Sequence, residues 1–203
     1  GGEWIDGEGV EKTRDPYRGE TVGQVAKGTS ALVSRAVEAA REAATDVAAL
    51  PAYKRAEILH RAAKLIVERA EDIGRTMARE TGKAIKDAVG EVRRSQDTMT
   101  LSAEEAVRIE GSHIPLDASE MGAGKLAFIV RFPVGVVGAI TPFNAPFNLA
   151  CHKIGPAFAA GNATVLKPPP QAAAVVHKLV EIFQDAGAPA GALNVVYGGA
   201  DVG

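Results

Sequence analysis

Asn144 stands between two prolines in Thr141-Pro142-Phe143-Asn144-Ala145-Pro146, directly after the apolar run Val134, Val136, Val137, Ala139 and Ile140. An amide on a loop stiffened in this way is a rigidly held donor, able to stabilise negative charge as it develops. The plain alternative is a turn asparagine bonding its own backbone. Lys167 closes a second apolar run, Ala163 to Leu166, and precedes Pro168-Pro169-Pro170, so its ammonium projects from a stiff backbone. Asn148 and His152 lie four apart, on one face of the helix that follows Asn144; a face pointing to solvent is the equal alternative. Gly199 and Gly203, spaced G-x-x-x-G, suit close approach of the backbone to a ligand, a weak signal that an ordinary loop also produces. Cys151 is the lone thiol, mid-helix among Leu149, Ala150 and Ile154, where a cysteine is ordinarily buried and inert. His152 sits about 100° further round that helix, so the two side chains form no dyad. His60, His113 and His177 show no metal-ligand spacing, and no metal is expected.

These residues need a frame. The run from 134 to 140 reads as a strand covered on both faces, two prolines interrupt it, and a helical pattern runs from Phe147 to Phe158 until Gly161-Asn162 stops it. Strand, loop, helix and strand make the unit of a parallel sheet. Ligands of such sheets lie beyond the carboxyl ends of the strands, where Asn144 and Lys167 both fall. A further helix from Ala172 to Asp185 and a strand from Leu193 to Tyr197 continue the alternation. Upstream, Glu3 to Val10 reads as two short strands about an Asp6-Gly7 turn, with Thr21 to Val25 as another. Ser30 is the expected N-cap of a helix carrying Val33, Ala36, Val37, Ala40, Ala44 and Val47 on one stripe. Pro51 opens a second helix whose stripe Leu59, Ala62, Ile66, Ala70, Ile73 and Met77 runs to about Gly82. A third spans about Ala84 to Ile109, with Val89, Val92, Met99, Ala103 and Ala106 inward. Gly111 to Ile114 and Lys125 to Phe132 read as a hairpin.

Several of these stretches together resemble the aldehyde dehydrogenase superfamily. They are Pro133-x-Gly135-Val136-Val137-Gly138, Pro142-Phe143-Asn144-x-Pro146, Lys153, Pro156-Ala157-x-Ala159-x-Gly161-Asn162, Lys167-Pro168 and Ala186-Gly187-x-Pro189-x-Gly191-x-x-Asn194-Val195-Val196. Glu3-Trp4-Ile5, Asp15-Pro16 and Glu80-Thr81-Gly82-Lys83 fit the opening of that family. The resemblance implies an α/β fold: a Rossmann-like parallel sheet with helices on both faces, preceded by a helical N-terminal segment and carrying a β-hairpin oligomerisation arm. It implies a helical part of the cofactor-binding domain at 1–110, the hairpin at 111–132, and an incomplete NAD(P)-binding segment at 133–203. By the same resemblance Asn144 lines the oxyanion hole for a cysteine thiohemiacetal, and Lys153 sits behind the catalytic centre and tunes proton transfer. Ile140, Thr141, Pro142, Phe143, Lys167, Pro170, Gly199 and Gly203 contact NAD or NADP, Lys167 through the adenine-side ribose. The face bearing Asn148 and His152 lines the aldehyde tunnel. Two polar groups there, with Arg94 from the third helix, suggest a polar or anionic aldehyde. At Pro170 many NAD-using members carry a ribose-binding glutamate; its replacement removes repulsion against a 2′-phosphate, so NADP is an expected cofactor.

Composition narrows the remaining classes. Of 203 residues 46% are hydrophobic, and 23 basic side chains are interspersed with 25 acidic ones, which disfavours a nucleic-acid partner. No apolar run is long enough to span a bilayer. A single cysteine fits a reducing, cytoplasmic setting. Against the family the chain is short. The expectation is an N-terminal part without the nucleophilic cysteine and general-base glutamate, inactive alone, whose Gly198–Gly203 loop leads into a further helix. The expected whole is a homo-oligomeric oxidoreductase, dimer or tetramer. CoA-acylating or acyl-phosphate-reducing chemistry within the superfamily, and a non-catalytic cofactor-binding or oligomerisation fragment, are the alternatives.

Overall fold

Three parallel strands, β5 (Val136–Ile140), β6 (Ala163–Lys167) and β7 (Leu193–Val195), lie in the order β5-β6-β7 in the computed structural model, which describes residues 2–203. Their register sets Ile140 beside Lys167 and Leu166 beside Val195, so the three carboxyl ends open on one side of the sheet. α5 (Pro146–Ala159) and α6 (Ala173–Asp185) make the two crossovers. Gly161 leaves α5 at φ +82°, a left-handed conformation that favours glycine at a helix end. Asn162 then ties that end to the start of β5: its Nδ2 donates to the Ala157 carbonyl at 3.2 Å and its Oδ1 accepts from Gly135 N at 2.9 Å.

Helices cover both faces. α1 (Ser30–Ala49) packs on all three strands through Ala40, Ala43 and Val47. On the other face α5 and α6 rest on a second helical layer of α2 (Ala52–Glu68), α3 (Ala70–Thr81) and α4 (Ile85–Ala106). One continuous core joins Leu59, Ile66, Met77, Met99, Phe147, Phe158, Leu166, Leu179 and Phe183. Each such side chain contributes about 1.5–3 kcal/mol by leaving water. Two hairpins stand outside the sheet: β1 (Val10–Arg14) with β2 (Thr21–Ala26), and β3 (Ser112–Ile114) with β4 (Ala127–Ile129). The second hairpin presents Phe128, Ile129, Val130 and Phe132 to solvent. No described helix is long and apolar enough to cross a membrane.

Several expectations are corrected. Glu3 to Ile5 form no strand; Trp4 instead lies on α6, its ring centroid 4.4 Å from that of His177. The N-terminal hairpin turns at Asp15, not Asp6-Gly7, because the Asp15 carboxylate accepts from Tyr17 N and Arg18 N at 2.8 and 3.0 Å. Thr29 rather than Ser30 caps α1, accepting from Leu32 N. The long helix expected after Pro51 bends at Arg69 (φ −100°, ψ 7°) into α2 and α3. The bend lays α3 against α4 so closely at Gly74 that a Cβ there would meet Val89 at 2.4 Å. α4 stops at Ala106 rather than Ile109. The second hairpin pairs only three residues on each strand, and β7 ends at Val195 rather than Tyr197. Val134 falls outside β5 and is exposed, since Gly135 turns the chain at φ +100°. β5, an edge strand, is covered only in part by α1 and α5, and Ile140 is exposed at its end. The central β6 has that character instead.

Candidate active site

The loop 141–146 joins β5 to α5 at the carboxyl edge of the sheet. Thr141 N donates to the Lys167 carbonyl at 3.2 Å, extending the β5–β6 pairing by one step. Pro146 takes the first turn of α5, where a missing N–H costs nothing. Between them Asn144 is exposed, and its side-chain amide has no hydrogen-bond partner among the described residues; it does not bond its own backbone. Its carbonyl accepts from Lys83 Nζ at 3.0 Å. Lys83 also pairs with Glu91, whose side chain is only 4% exposed. The Glu91 carboxylate in turn accepts from Phe147 N and Asn148 N, both at 3.2 Å. α5 has no side-chain cap of its own, so a carboxylate from α4 supplies it.

Glu80 repeats the arrangement one strand along. It is buried, and its two oxygens accept from Ala174 N and Val175 N at 2.8 and 2.9 Å, capping α6. Burial raises its pKa, against the pull of those two N–H groups. Neither carboxylate was foreseen from sequence, nor was Lys83 as a site residue. The signal was there: Glu91 and Ser95 interrupt the inward stripe of Ala88, Val92 and Met99 on α4, and a charge on a buried stripe has a partner to find.

On the face of α5 that meets α4, Thr98 of α4 brings the expected pair together. Its hydroxyl donates to Asn148 Oδ1 at 3.2 Å and lies 3.5 Å from His152 Nε2. Asn148 is buried and His152 exposed, so the face is neither wholly tunnel-like nor wholly solvent-pointing. Arg94 lies one turn before Thr98 and is exposed, but no hydrogen bond joins it to the pair. Lys153 is exposed on α5 and makes no ion pair among the described residues. Cys151, on α5, is fully buried, and burial pushes its thiol pKa far up, so it supplies no thiolate.

Beyond the strand ends the structure offers a fitting bed for a dinucleotide. Ile140 and Phe143 are exposed apolar surfaces beside Pro142. Thr141 Oγ1 is buried yet has no partner, the only such side-chain atom among the described residues. Lys167 ends β6 half-buried and without an ion pair among those residues, and Pro170 opens a single 3-10 turn just beyond it. Gly203 closes the arrangement: a Cβ there would lie 3.8 Å from Ile140 Cδ1 in ordinary contact, and Gly199 has a normal φ. The glycine that backbone geometry requires is Gly198, at φ +152°, where a Cβ would meet Val202 at 2.5 Å.

A parallel sheet flanked by helices, with polar groups gathered past its carboxyl edge, is a Rossmann-like α/β unit. Residues 4–203 match the model of the aldehyde dehydrogenase family, and the chain belongs to that family. It is 40% identical over 203 residues to 3-sulfolactaldehyde dehydrogenase of Priestia megaterium, covering 100% of this chain and 42% of that protein. It is 42% identical over 189 residues to aspartate-semialdehyde dehydrogenase 1 of Pseudomonas canavaninivorans, covering 93% of this chain and 40% of the other. The NADP-dependent glyceraldehyde-3-phosphate dehydrogenase of Bacillus halodurans, solved with NADP, superposes with a TM-score of 0.95 at 37% identity, over 99% of this chain and 43% of that one. The chain thus spans about two-fifths of the length of these relatives.

Proposed function

We propose that this chain is the N-terminal part of an NAD(P)-dependent aldehyde dehydrogenase that oxidises an anionic aldehyde of the semialdehyde class to its carboxylic acid. The observation that carries the reading is the loop at Asn144: its backbone is held from two sides while its amide is left free at the strand ends. An amide so placed donates to the oxyanion formed when a cysteine thiolate, outside this chain, adds to the aldehyde carbonyl. Thr98, Asn148 and His152 form a polar patch on the adjoining helix faces, suited to the charged tail of such a substrate. The names of the relatives support the class, since sulfonate, carboxylate and phosphate aldehydes all carry an anion a few bonds from the aldehyde carbon. Arg94 is the nearby cation on α4 that remains available to it.

The dinucleotide supplies the hydride acceptor. This chain's part is to seat it, with Ile140, Thr141, Pro142 and Phe143 beneath it, Lys167 at the ribose, and the turn at Gly199 to Gly203 as a close backbone wall. The β3–β4 hairpin, whose exposed apolar side chains have no cover, is the subunit-contact arm of a homo-oligomer.

The test is steady-state oxidation of aspartate semialdehyde and of uncharged propanal by the full-length protein containing this chain. The expected result is NAD(P)-dependent acid formation with kcat/KM strongly favouring the anionic aldehyde, and a kcat lowered roughly a hundredfold by Asn144→Ala, the usual effect of losing one oxyanion donor. Equal efficiency on propanal would remove the substrate class, and an unchanged kcat would remove Asn144 from the chemistry.

A further inference from the structure

We propose that Lys83 and Glu91 are positioning residues for Asn144, a coupled pair that holds the 141–146 loop in its working shape; this rests on the aldehyde dehydrogenase reading above.

The argument starts from what a buried carboxylate needs. Glu91 is 5% exposed, and an ion in such a place is tolerated only when its oxygens are paired and hydrogen-bonded. Every partner Glu91 has belongs to one local structure. One oxygen takes the N–H groups of Phe147 and Asn148, the first free donors of α5, and the other takes the Lys83 ammonium. Lys83 then spends a second donor on the carbonyl of Asn144 itself, 3.0 Å away. Capping α5 explains the first two contacts. It does not explain the last, because a helix cap has no use for a cation on the carbonyl of the preceding loop.

The loop has little else to hold it. Pro142 and Pro146 remove two backbone donors, and Asn144 and Phe143 are exposed. Its start is tied by Thr141 N to Lys167; its far half is tied by Lys83 and Glu91. Because Lys83 grips the carbonyl and not the side chain, the amide of Asn144 stays free to face a substrate. An oxyanion donor works only if it is fixed before the charge forms. The pair therefore acts on turnover through Asn144, without touching substrate or cofactor.

A double-mutant cycle in the full-length protein decides this. Lys83→Met, which keeps the stem and removes the donor, is expected to lower kcat at least tenfold while leaving NADPH affinity, measured by fluorescence titration, unchanged. In an Asn144→Ala background the same change is expected to cost less than twofold more, since the residue being positioned is gone. Fully multiplicative losses, or an unchanged kcat in Lys83→Met, would overturn the proposal. Amide exchange at Phe147 and Asn148, expected to quicken in Lys83→Met and Glu91→Gln, reports the clamp independently of any aldehyde. If Asn144→Ala turns over normally, both the oxyanion reading and its positioning fail, whatever the exchange shows. If Lys83→Met does not fold, Lys83→Arg carries the cycle, as its longer planar group keeps the ion pair but moves the donor away from the Asn144 carbonyl.

Discussion

Replacing Glu80 by alanine should destabilise the fold by an amount that its two hydrogen bonds define. The Glu80 oxygens accept from Ala174 N and Val175 N at 2.8 and 2.9 Å, and α6 has no other side-chain cap. Val175 N is buried and its loss of a partner costs about 2 kcal/mol; the partly accessible Ala174 N recovers water and costs about 1 kcal/mol. Against this, burial that raises the Glu80 pKa shows that the carboxylate is held out of water at a cost, which alanine relieves. The net is about 2 kcal/mol, at the upper end of measured caps. With a urea slope of about 2 kcal/mol/M, the unfolding midpoint should fall by about 1 M. Glu80→Gln, which keeps one acceptor, should lose roughly half as much. The assay is urea unfolding followed by circular dichroism, with amide exchange at Val175 as the local reporter. A midpoint shift below about 0.2 M at unchanged slope would show that water or backbone rearrangement satisfies α6 without Glu80, and the capping argument would fall.

Three further outcomes are expected. Pro170 stands half-buried just past Lys167, so the full-length enzyme should use NADP at least as well as NAD; Pro170→Glu should lower the NADP-to-NAD efficiency ratio roughly tenfold by setting like charges together, and an unmoved ratio would place cofactor choice elsewhere. Burial lowers the His177 pKa below its ordinary 6.5, with Glu181 opposing and Lys178 adding to the shift. The fold thus holds the neutral ring: its stability is complete above about pH 6.5 and is lost as pH falls toward the lower folded value, so His177→Gln should flatten the loss of melting temperature over that window. Cys151, fully buried with a raised pKa, should resist a thiol reagent such as DTNB in the folded protein and react fully in urea; rapid native labelling would contradict its packing.

The unit from β5 to β6 was legible because its signals agree: two apolar runs of strand length, prolines that forbid pairing between them, and a glycine where the helix must turn left-handed. The places of Asn144 and Lys167 followed from it, Lys167 as the last residue of β6 and Asn144 in the loop between β5 and α5. What escaped was set by partners far away in the chain. Nothing local marks the bend at Arg69, which exists to bring α3 against α4 and α6. Trp4 reads as a strand residue by type, yet its stretch pairs with no strand, and its ring covers that of His177. Glu80 and Glu91 look like helix-surface charges unless their place on an apolar stripe is weighed. Their targets lie 94 and 56 residues downstream, beyond the reach of any periodicity. Spacing singles out Gly199 and Gly203, but the unusual φ belongs to Gly198, because spacing identifies a glycine pattern and not which glycine carries the strained backbone.

Glu80 and Glu91 also decide what the carboxyl edge of the sheet can receive. A helix N-terminus is the ordinary seat for a phosphate, offering free N–H groups and a partial positive charge. Here both such seats, at the starts of α5 and α6, are already filled by the protein's own carboxylates. A phosphate approaching either one finds the first N–H groups already taken by a carboxylate instead of a vacant cradle. The fold therefore leaves neither crossover helix an open N-terminal cradle, while Lys167, at the end of β6, has no ion pair among the described residues.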